Sequence, residues 1–198
     1  TTARGQADIQ RLGQGLHLEL ETTTTAGGGD YAPLWLSSNR YGLGSVETCW
    51  NYERVALHRD MAQDSARHWR MGYGADVAVM FGGERAVAVT EAFFEVAWKK
   101  LSLTAGSKKQ TLMLKNDRLT SGGLSYGINA RPIPQVRLAF DYVTFPGTKG
   151  WWQWKGHLSY GWMTDGRWQK SWAKPDSRRC EHTLYHEKAL YWKFGKEE

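Results

Sequence analysis

The chain has 198 residues, of which 41% are hydrophobic and 13% aromatic, and it carries a formal net charge of +6 with a pI near 9.3. No apolar run approaches the roughly 20 residues that a membrane helix needs, so the sequence excludes a helical membrane protein. The positive charge favours polyanionic partners such as acidic polysaccharide or lipopolysaccharide, and nucleic acid is not expected because the chain has no basic run and no nucleic-acid motif.

The first part of the chain predicts three strands separated by polar links. Residues 1–13 show no reliable pattern, whereas leucines alternate with charged or polar residues over positions 16–21. The threonines and glycines of residues 22–29 indicate a strand end that enters a flexible turn. A second, irregular strand is expected around residues 34–36, and a third around residues 55–57.

Residues 68–81 show the clearest alternation in the chain. One set of positions is largely apolar: Trp69, Met71, Tyr73, Ala75, Val77, Val79 and Phe81. The intervening set begins with His68, Arg70, Gly72, Gly74 and Asp76. Successive side chains of a strand point to opposite faces, so this segment predicts a strand with one apolar and one polar face. Gly82, Gly83 and Glu84 follow as a hairpin turn.

The same alternation returns along the rest of the chain. Further strands are expected around residues 91–99, 101–105, 124–130, 136–140, 152–162 and 190–194. The sequence therefore predicts an all-β fold of about eight to ten antiparallel strands in a single domain over residues 1–198. Pro132 and Pro134 either bend one long strand or separate two, because proline cannot donate a hydrogen bond to a sheet ladder.

Alternating strands of roughly 10 residues are typical of a transmembrane β-barrel, in which lipid-facing and lumen-facing residues alternate. The 11 Trp, 9 Tyr and 22 Gly favour this class, because aromatic girdles mark membrane interfaces and small residues pack tightly at the inner wall. Thr1 opens a polar stretch and not a signal peptide, so we expect that a secretion signal was removed or is absent from this sequence.

Link lengths predict a sidedness for the strands. The links 107–123 and 163–183 are long, whereas Lys99-Lys100 is short. Outer-membrane barrels carry long extracellular loops and short periplasmic turns, so the long links are expected outside the cell. The two prolines leave the sidedness of one half open.

The sequence nominates no catalytic centre, cofactor or metal site. It lacks a zinc-protease helix motif, a nucleophile elbow, a P-loop and a dinucleotide fingerprint, so no enzyme activity is expected. His182 and His186 share one face of a strand, but further metal ligands are not visible. Cys49 and Cys180 are able to pair in an oxidising periplasm, and a single pair of cysteines leaves both the bonded and the free state open.

Four separated segments stand in a definite order along the chain. They are Leu34-Trp35-Leu36-Ser37-Ser38-Asn39-Arg40-Tyr41-Gly42, Arg131-Pro132-Ile133-Pro134-Gln135, Phe145-Pro146-Gly147-Thr148-Lys149-Gly150-Trp151 and Leu184-Tyr185-His186-Glu187-Lys188. Together they resemble the capsule assembly Wzi family, and the resemblance covers about Leu34 to Gly195. It implies an outer-membrane barrel of eighteen strands, plugged by its own loops, that helps to anchor capsular polysaccharide at the cell surface as a lectin does.

This resemblance also implies a place and partners for the chain. It resembles the N-terminal half of the family barrel, so we expect an incomplete part of a larger barrel in the outer membrane of a Gram-negative bacterium. Capsular polysaccharide, outer-membrane lipid and lipopolysaccharide are the implied partners, and capsule export machinery is a further candidate. A closed barrel of eight strands, the smallest common size, is the alternative architecture.

Polysaccharide contacts are expected in the long link 163–183. The candidates combine aromatic and cationic side chains: Arg167, Trp168, Lys170, Trp172, Lys174, Arg178 and Arg179. Aromatic rings pack against pyranose faces and cations attract acidic groups, although an ordinary solvated loop has the same composition. Trp152 and Trp154 are instead expected in an interfacial girdle.

The residues expected on the polar face are also compatible with a second function. Six charged or titratable residues are expected there: Arg70, Asp76, Glu95, Arg137, Lys155 and His157. Such residues either line a solute path or pair across a barrel interior, so a general outer-membrane porin is the alternative to polysaccharide retention. A barrel enzyme acting on lipid or glycan and a soluble β-sandwich lectin are further alternatives.

Overall fold

The computed structural model describes residues 13–38, 40–64, 68–82, 86–110, 119, 127, 129–163 and 183–195. The described residues form eight strands: β1 (Leu16–Ala26), β2 (Cys49–Arg59), β3 (Trp69–Phe81), β4 (Val87–Trp98), β5 (Leu101–Ser107), β6 (Gln135–Thr144), β7 (Trp152–Trp162) and β8 (Leu184–Phe194). Two short helical segments interrupt them, α1 (Leu34–Ser37) and a 3-10 turn (Met61–Asp64). The predicted all-β fold is confirmed.

The strands form one antiparallel sheet in which each strand pairs with its neighbour in sequence. The pairing of β1 with β2 runs unbroken from Leu16 opposite Arg59 to Ala26 opposite Cys49. β7 and β8 pair over their full lengths. Within the described residues β1 and β8 are the two edges and do not pair with each other, so the sheet is not closed into a barrel.

Burial alternates along the strands and divides the sheet into two faces. In β3, Gly74, Asp76 and Ala78 are buried, whereas Val77 and Val79 are exposed. We call the buried side the polar face, because it carries Glu21, Arg54, Asp76, Thr90, Glu95, Thr104, Arg137, His157 and Glu187. The exposed side is the apolar face, and it carries Leu18, Val55, Val77, Val89, Phe94, Leu103, Leu138, Leu158 and Leu190.

Two irregularities shift the alternation. In β4 the buried positions change from Ala88 and Thr90 to Glu95 and Ala97, an odd spacing that is typical of one extra residue in a β-bulge. The register between β6 and β7 shifts between Phe140 and Val143.

The links at the two ends of the strands differ in length. Alternate links of an antiparallel meander lie at opposite ends of its strands. At one end β2 joins β3, β4 joins β5 and β6 joins β7 through links of nine residues or fewer, and we call it the short-link end. At the other, the long-link end, β1 joins β2, β3 joins β4, β5 joins β6 and β7 joins β8, and three of these four links are longer than 20 residues. The short link at Lys99-Lys100 and the long links therefore connect opposite ends of the strands, as predicted. Most of residues 107–123 and 163–183 lie outside the described part.

Residue contacts divide the chain into two compact units. The first comprises Thr1–Arg59, Tyr73–Ala92 and Ser107–Pro132, and it contains the hydrophobic core of Leu43, Trp50, Tyr52, Ala78, Met80 and Ala88. The second comprises Asp60–Gly72, Phe93–Gly106 and Ile133–Glu198.

Three sequence predictions need correction or refinement. The irregular strand at residues 34–36 is wrong, because these residues form α1, in which the amide of Ser38 donates to the carbonyl of Leu34 at 2.8 Å. Pro132 and Pro134 precede β6, so they end a link and do not bend a strand. The strand expected at residues 124–130 lies largely outside the described residues.

Candidate functional site

The expected polysaccharide contacts fall outside the part of the chain that the structure describes. Arg167, Trp168, Lys170, Trp172, Lys174, Arg178 and Arg179 all lie there, as do Cys180 and His182. Cys49 is exposed and has no disulfide partner among the described residues. The candidate site among the described residues is therefore formed by other side chains.

A charge network occupies the polar face of β1, β2 and β3. The register places Glu21 opposite Arg54, and alternation brings Glu19 onto the same face of β1. The guanidinium of Arg54 donates to Glu19 Oε1 and to Glu21 Oε2, each at 2.9 Å. It also donates through Nε and a terminal nitrogen to the carboxylate of Asp76, at 3.0 and 2.9 Å. One cation thus holds three carboxylates.

The surroundings of this network differ from one member to the next. The side chain of Asp76 is 4% exposed and that of Arg54 is 18% exposed, whereas that of Glu19 is 55% exposed. Glu21 also accepts a hydrogen bond from the hydroxyl of Tyr52 at 2.5 Å. The buried carboxylate of Asp76 is therefore paired with Arg54. The carboxylate of Glu19, at the open end of the network, remains accessible to solvent or a ligand.

A segment from the long link between β1 and β2 is fastened by the residues that precede β6. The amide of Tyr41 donates to Asn129 Oδ1 at 2.8 Å. Arg131 donates to the carbonyls of Tyr41 and Gly42 at 3.1 and 3.0 Å, across 90 and 89 positions of sequence. Two of the four segments that carry the family resemblance thus contact each other.

Lys109 joins this segment to β4. Its amide donates to the carboxylate of Glu91, and its Nζ donates to the hydroxyl of Tyr41. The same Nζ lies 4.4 Å from the centroid of the Tyr41 ring, within the range of a cation–π contact. Tyr41 is therefore held through its backbone, its hydroxyl and its ring.

These groups enclose a cavity of about 320 Å³, and all of its lining belongs to the first compact unit. We call it the carboxylate cavity. Its strand residues are Glu19, Glu21, Arg54, Asp76, Thr90 and Glu91, and its link residues are Tyr41, Leu43, Lys109 and Pro132. Within the described residues, no cluster of His, Cys, Asp and Glu is arranged to hold a metal ion.

A second polar cluster lies on β6, β7 and β8. The register places Ser159 opposite both Arg137 and Glu187. His157 Nε2 lies 3.2 Å from Glu187 Oε2. Ser159 Oγ and Gln135 Oε1 are buried without a hydrogen-bond partner among the described residues.

Aromatic rings collect on the apolar face at the short-link end. Trp152 lies with its ring centroid 4.2 Å from that of Phe145 and 5.1 Å from that of Trp192. Trp69 and Trp98 form a further pair, with centroids 6.3 Å apart. Trp152 and Trp154 share the apolar face.

The sequence predicted the face of the charged residues but missed the carboxylate cavity. Alternation already assigned Asp76 to the polar face, and the six residues expected there all occupy it in the structure. For the rest of the cavity, the sequence signal was the alternation that places Glu19 and Glu21 on one face of β1. Their partner Arg54 is identified only by the strand register, which sets it opposite Glu21.

Comparison of the chain with protein-family models, curated proteins and solved structures finds no match. The part of the chain that the structure describes contains no helix whose length and apolar character would let it cross a membrane.

Proposed function

We propose that the chain is part of an outer-membrane β-barrel of the Wzi type that retains capsular polysaccharide at the cell surface without catalysis. The observation that carries the membrane assignment is the reversed polarity of the sheet. Leu18 and Leu20 are 63% and 71% exposed, whereas Asp76 and Arg137 are 3% and 8% exposed. Water-soluble domains bury most large aliphatic side chains and expose charged ones, so this sheet is better suited to lipid than to water.

Two further features support the membrane assignment. The aromatic rings at the short-link end correspond to the girdle that flanks the apolar band of outer-membrane barrels. The end with links of nine residues or fewer corresponds to the periplasmic end of such barrels, and the end where three of the four links exceed 20 residues corresponds to the extracellular end.

Polysaccharide retention rests on the resemblance of the four sequence segments. The contact of Arg131 with Tyr41 and Gly42 supports it, because segments with a shared role are expected to meet in the fold. The candidates predicted from the sequence between Arg167 and Arg179 remain proposed contacts for acidic groups of the polymer. Capsular polysaccharide, outer-membrane lipid and lipopolysaccharide are the proposed partners.

The test is the ratio of cell-bound to shed capsular polysaccharide in the native bacterium, with and without the full-length gene. A polymer-specific antibody measures both fractions. We expect deletion to move polymer into the medium while total synthesis is unchanged. An unchanged ratio would contradict polysaccharide retention.

A general porin is the second candidate, and the charged residues along the polar face favour it. Arg137 and Lys155 lie on that face in β6 and β7. A porin of this kind would give ion conductance when the full-length protein is added to a planar bilayer. A retention protein plugged by its own loops would give none.

A further inference from the structure

We propose that the carboxylate cavity binds a non-acidic saccharide unit, either neutral or amino-bearing. The ligand class rests on the proposed retention of polysaccharide, and the choice within that class comes from the geometry and charge of the cavity.

The size of the cavity is sufficient for such a ligand. Its volume of about 320 Å³ lies within the range of roughly 300–1,000 Å³ that small-molecule sites occupy. Leu43 and Pro132 add apolar surface to a lining that is otherwise charged or hydrogen-bonding. A sugar ring presents the same combination of hydroxyl groups and C–H surface.

The charge of the lining discriminates against acidic sugars. Glu19, Glu21 and Asp76 bring three negative charges to the single positive charge of Arg54. Glu91 and Lys109 balance each other, so two negative charges remain. Ionised carboxylates accept hydrogen bonds and cannot donate them, so they suit hydroxyl or ammonium donors and repel a uronate carboxylate.

The open end of the network gives the ligand a point of attachment. Glu19 is the most exposed of the three carboxylates around Arg54. The hydrogen bonds from Arg54 occupy only part of the acceptor capacity of the Glu19 carboxylate. An ionised carboxylate offers about four lone-pair sites, which leaves acceptors for a ligand. Asp76, by contrast, is buried behind the guanidinium.

The link side of the cavity is held in place before any ligand arrives. Tyr41 has a φ of +53°, a conformation that a tyrosine rarely adopts without support. Asn129 and Arg131 support this backbone conformation through hydrogen bonds, and Lys109 holds the hydroxyl of the side chain. A site that is fixed in advance loses less conformational entropy on binding.

The experiment uses the full chain in detergent micelles and saturation-transfer difference NMR. The probes are glucose, galactose, glucosamine, galactosamine and glucuronate at equal concentrations. We expect saturation of at least one neutral or amino sugar and weaker saturation of glucuronate. Absence of saturation for all the neutral and amino sugars, or equal saturation of glucuronate, would overturn the proposal.

A pair of variants locates the binding. Glu19→Gln keeps the shape of the side chain and removes its charge, so we expect the affinity for the bound sugar to fall by about tenfold, as for a lost hydrogen bond to a charged group. Glu47→Gln changes an exposed carboxylate outside the cavity and should leave the affinity unchanged. Equal affinities for Glu19→Gln and the unaltered chain would place the sugar elsewhere and overturn the proposal.

The two proposals fail separately. Saccharide binding that depends on Glu19, together with an unchanged capsule ratio after gene deletion, would overturn polysaccharide retention and leave the cavity as a saccharide site. Capsule loss after deletion without saccharide binding in the cavity would overturn this inference alone.

Discussion

Arg54 organises the polar face of the first three strands, because it is the common partner of Glu19, Glu21 and Asp76. Its side chain is mostly buried, and Asp76 lies behind it with less contact to water. Removal of the guanidinium would therefore leave a buried carboxylate without its cation, which is a larger loss than that of an exposed ion pair.

We expect Arg54→Met to lower the free energy of unfolding by about 3 kcal/mol, the typical loss when one partner of a buried ion pair is removed. Urea unfolding in detergent micelles, followed by tryptophan fluorescence, measures the change. Arg70→Met is the control, because the hydrogen bond of Arg70 described in the structure goes to the carbonyl of Lys99 and not to a carboxylate. A loss as large for Arg70→Met would contradict a special role for the Arg54 network.

Gly161 is required by close packing and not by its backbone angles. A Cβ at this position in β7 would collide with the carbonyl of Pro134 and lie 2.7 Å from Cβ of Gln135. We expect Gly161→Ala to lower the free energy of unfolding by about 2 kcal/mol, as for overpacking in a filled interior. Gly28→Ala is the matched control, because a Cβ added at Gly28 would meet no atom of the surrounding structure within 4 Å. Equal melting temperatures for the two variants would refute the packing argument.

At the scale of single strands, β8 carries a lysine on its apolar face. Lys188 is exposed on the apolar face, and the register places it opposite Leu158. On a lipid-facing strand a lysine near the bilayer centre is unfavourable by roughly 2–4 kcal/mol. Substitution of Lys188 therefore tests whether lipid or water covers the apolar face.

We expect Lys188→Leu to raise the free energy of unfolding in lipid bilayers by about 2 kcal/mol, because it removes a charge from the apolar face. Lys193→Leu is the control on the polar face of the same strand, where Lys193 Nζ lies 5.4 Å from the centroid of the Tyr142 ring. Its substitution should not stabilise the chain. Stabilisation by Lys193→Leu alone would reverse the assignment of the two faces.

The sequence predicted the location of strands where one face is apolar and the other polar, although β2 and β8 extend well beyond the predicted residues 55–57 and 190–194. β3 agrees to within one residue with the strand predicted at residues 68–81, because alternation over a long segment leaves little ambiguity. α1 was missed because Leu34 and Leu36 are two positions apart, a spacing that also fits a strand. The helical turn there depends on the local hydrogen bonds that follow Pro33.

The candidate site was less accessible to sequence reasoning. Alternation assigns a residue to a face, but the register decides which residues on that face meet. The partners of Arg54 come from strands up to 35 positions away, and Arg131 reaches Tyr41 across 90 positions. The burial alternation of β4 also shifts by one residue within the strand, which changes the face of the residues that follow, and the composition does not indicate this shift.

For the whole molecule, the central expectation is that the apolar face lies against lipid. Leu138 is exposed on that face in β6, at the level of Leu103 and Leu158 in the neighbouring strands. A cation there would meet hydrocarbon, whereas a cation on the polar face would meet other polar groups.

We expect Leu138→Arg to reduce the fraction of protein that floats with phospholipid vesicles in a density gradient by at least several-fold, because a cation near the midplane is unfavourable by roughly 2–4 kcal/mol. Thr23→Arg introduces the same side chain on the polar face of β1 and should float normally. Equal flotation of the two variants would argue against lipid contact, and recovery of the unaltered protein in the aqueous fraction would favour a soluble lectin.

The pairing of every strand with its neighbour in sequence has a consequence for how the sheet can form. Each hairpin needs only the next segment of chain to close, so the sheet can grow strand by strand from a single starting hairpin. At each stage the last strand presents its free N–H and C=O groups as a template for the strand that follows. Growth of this kind is directional and zipper-like, and an interruption at any link would leave a shorter sheet whose existing pairs are intact.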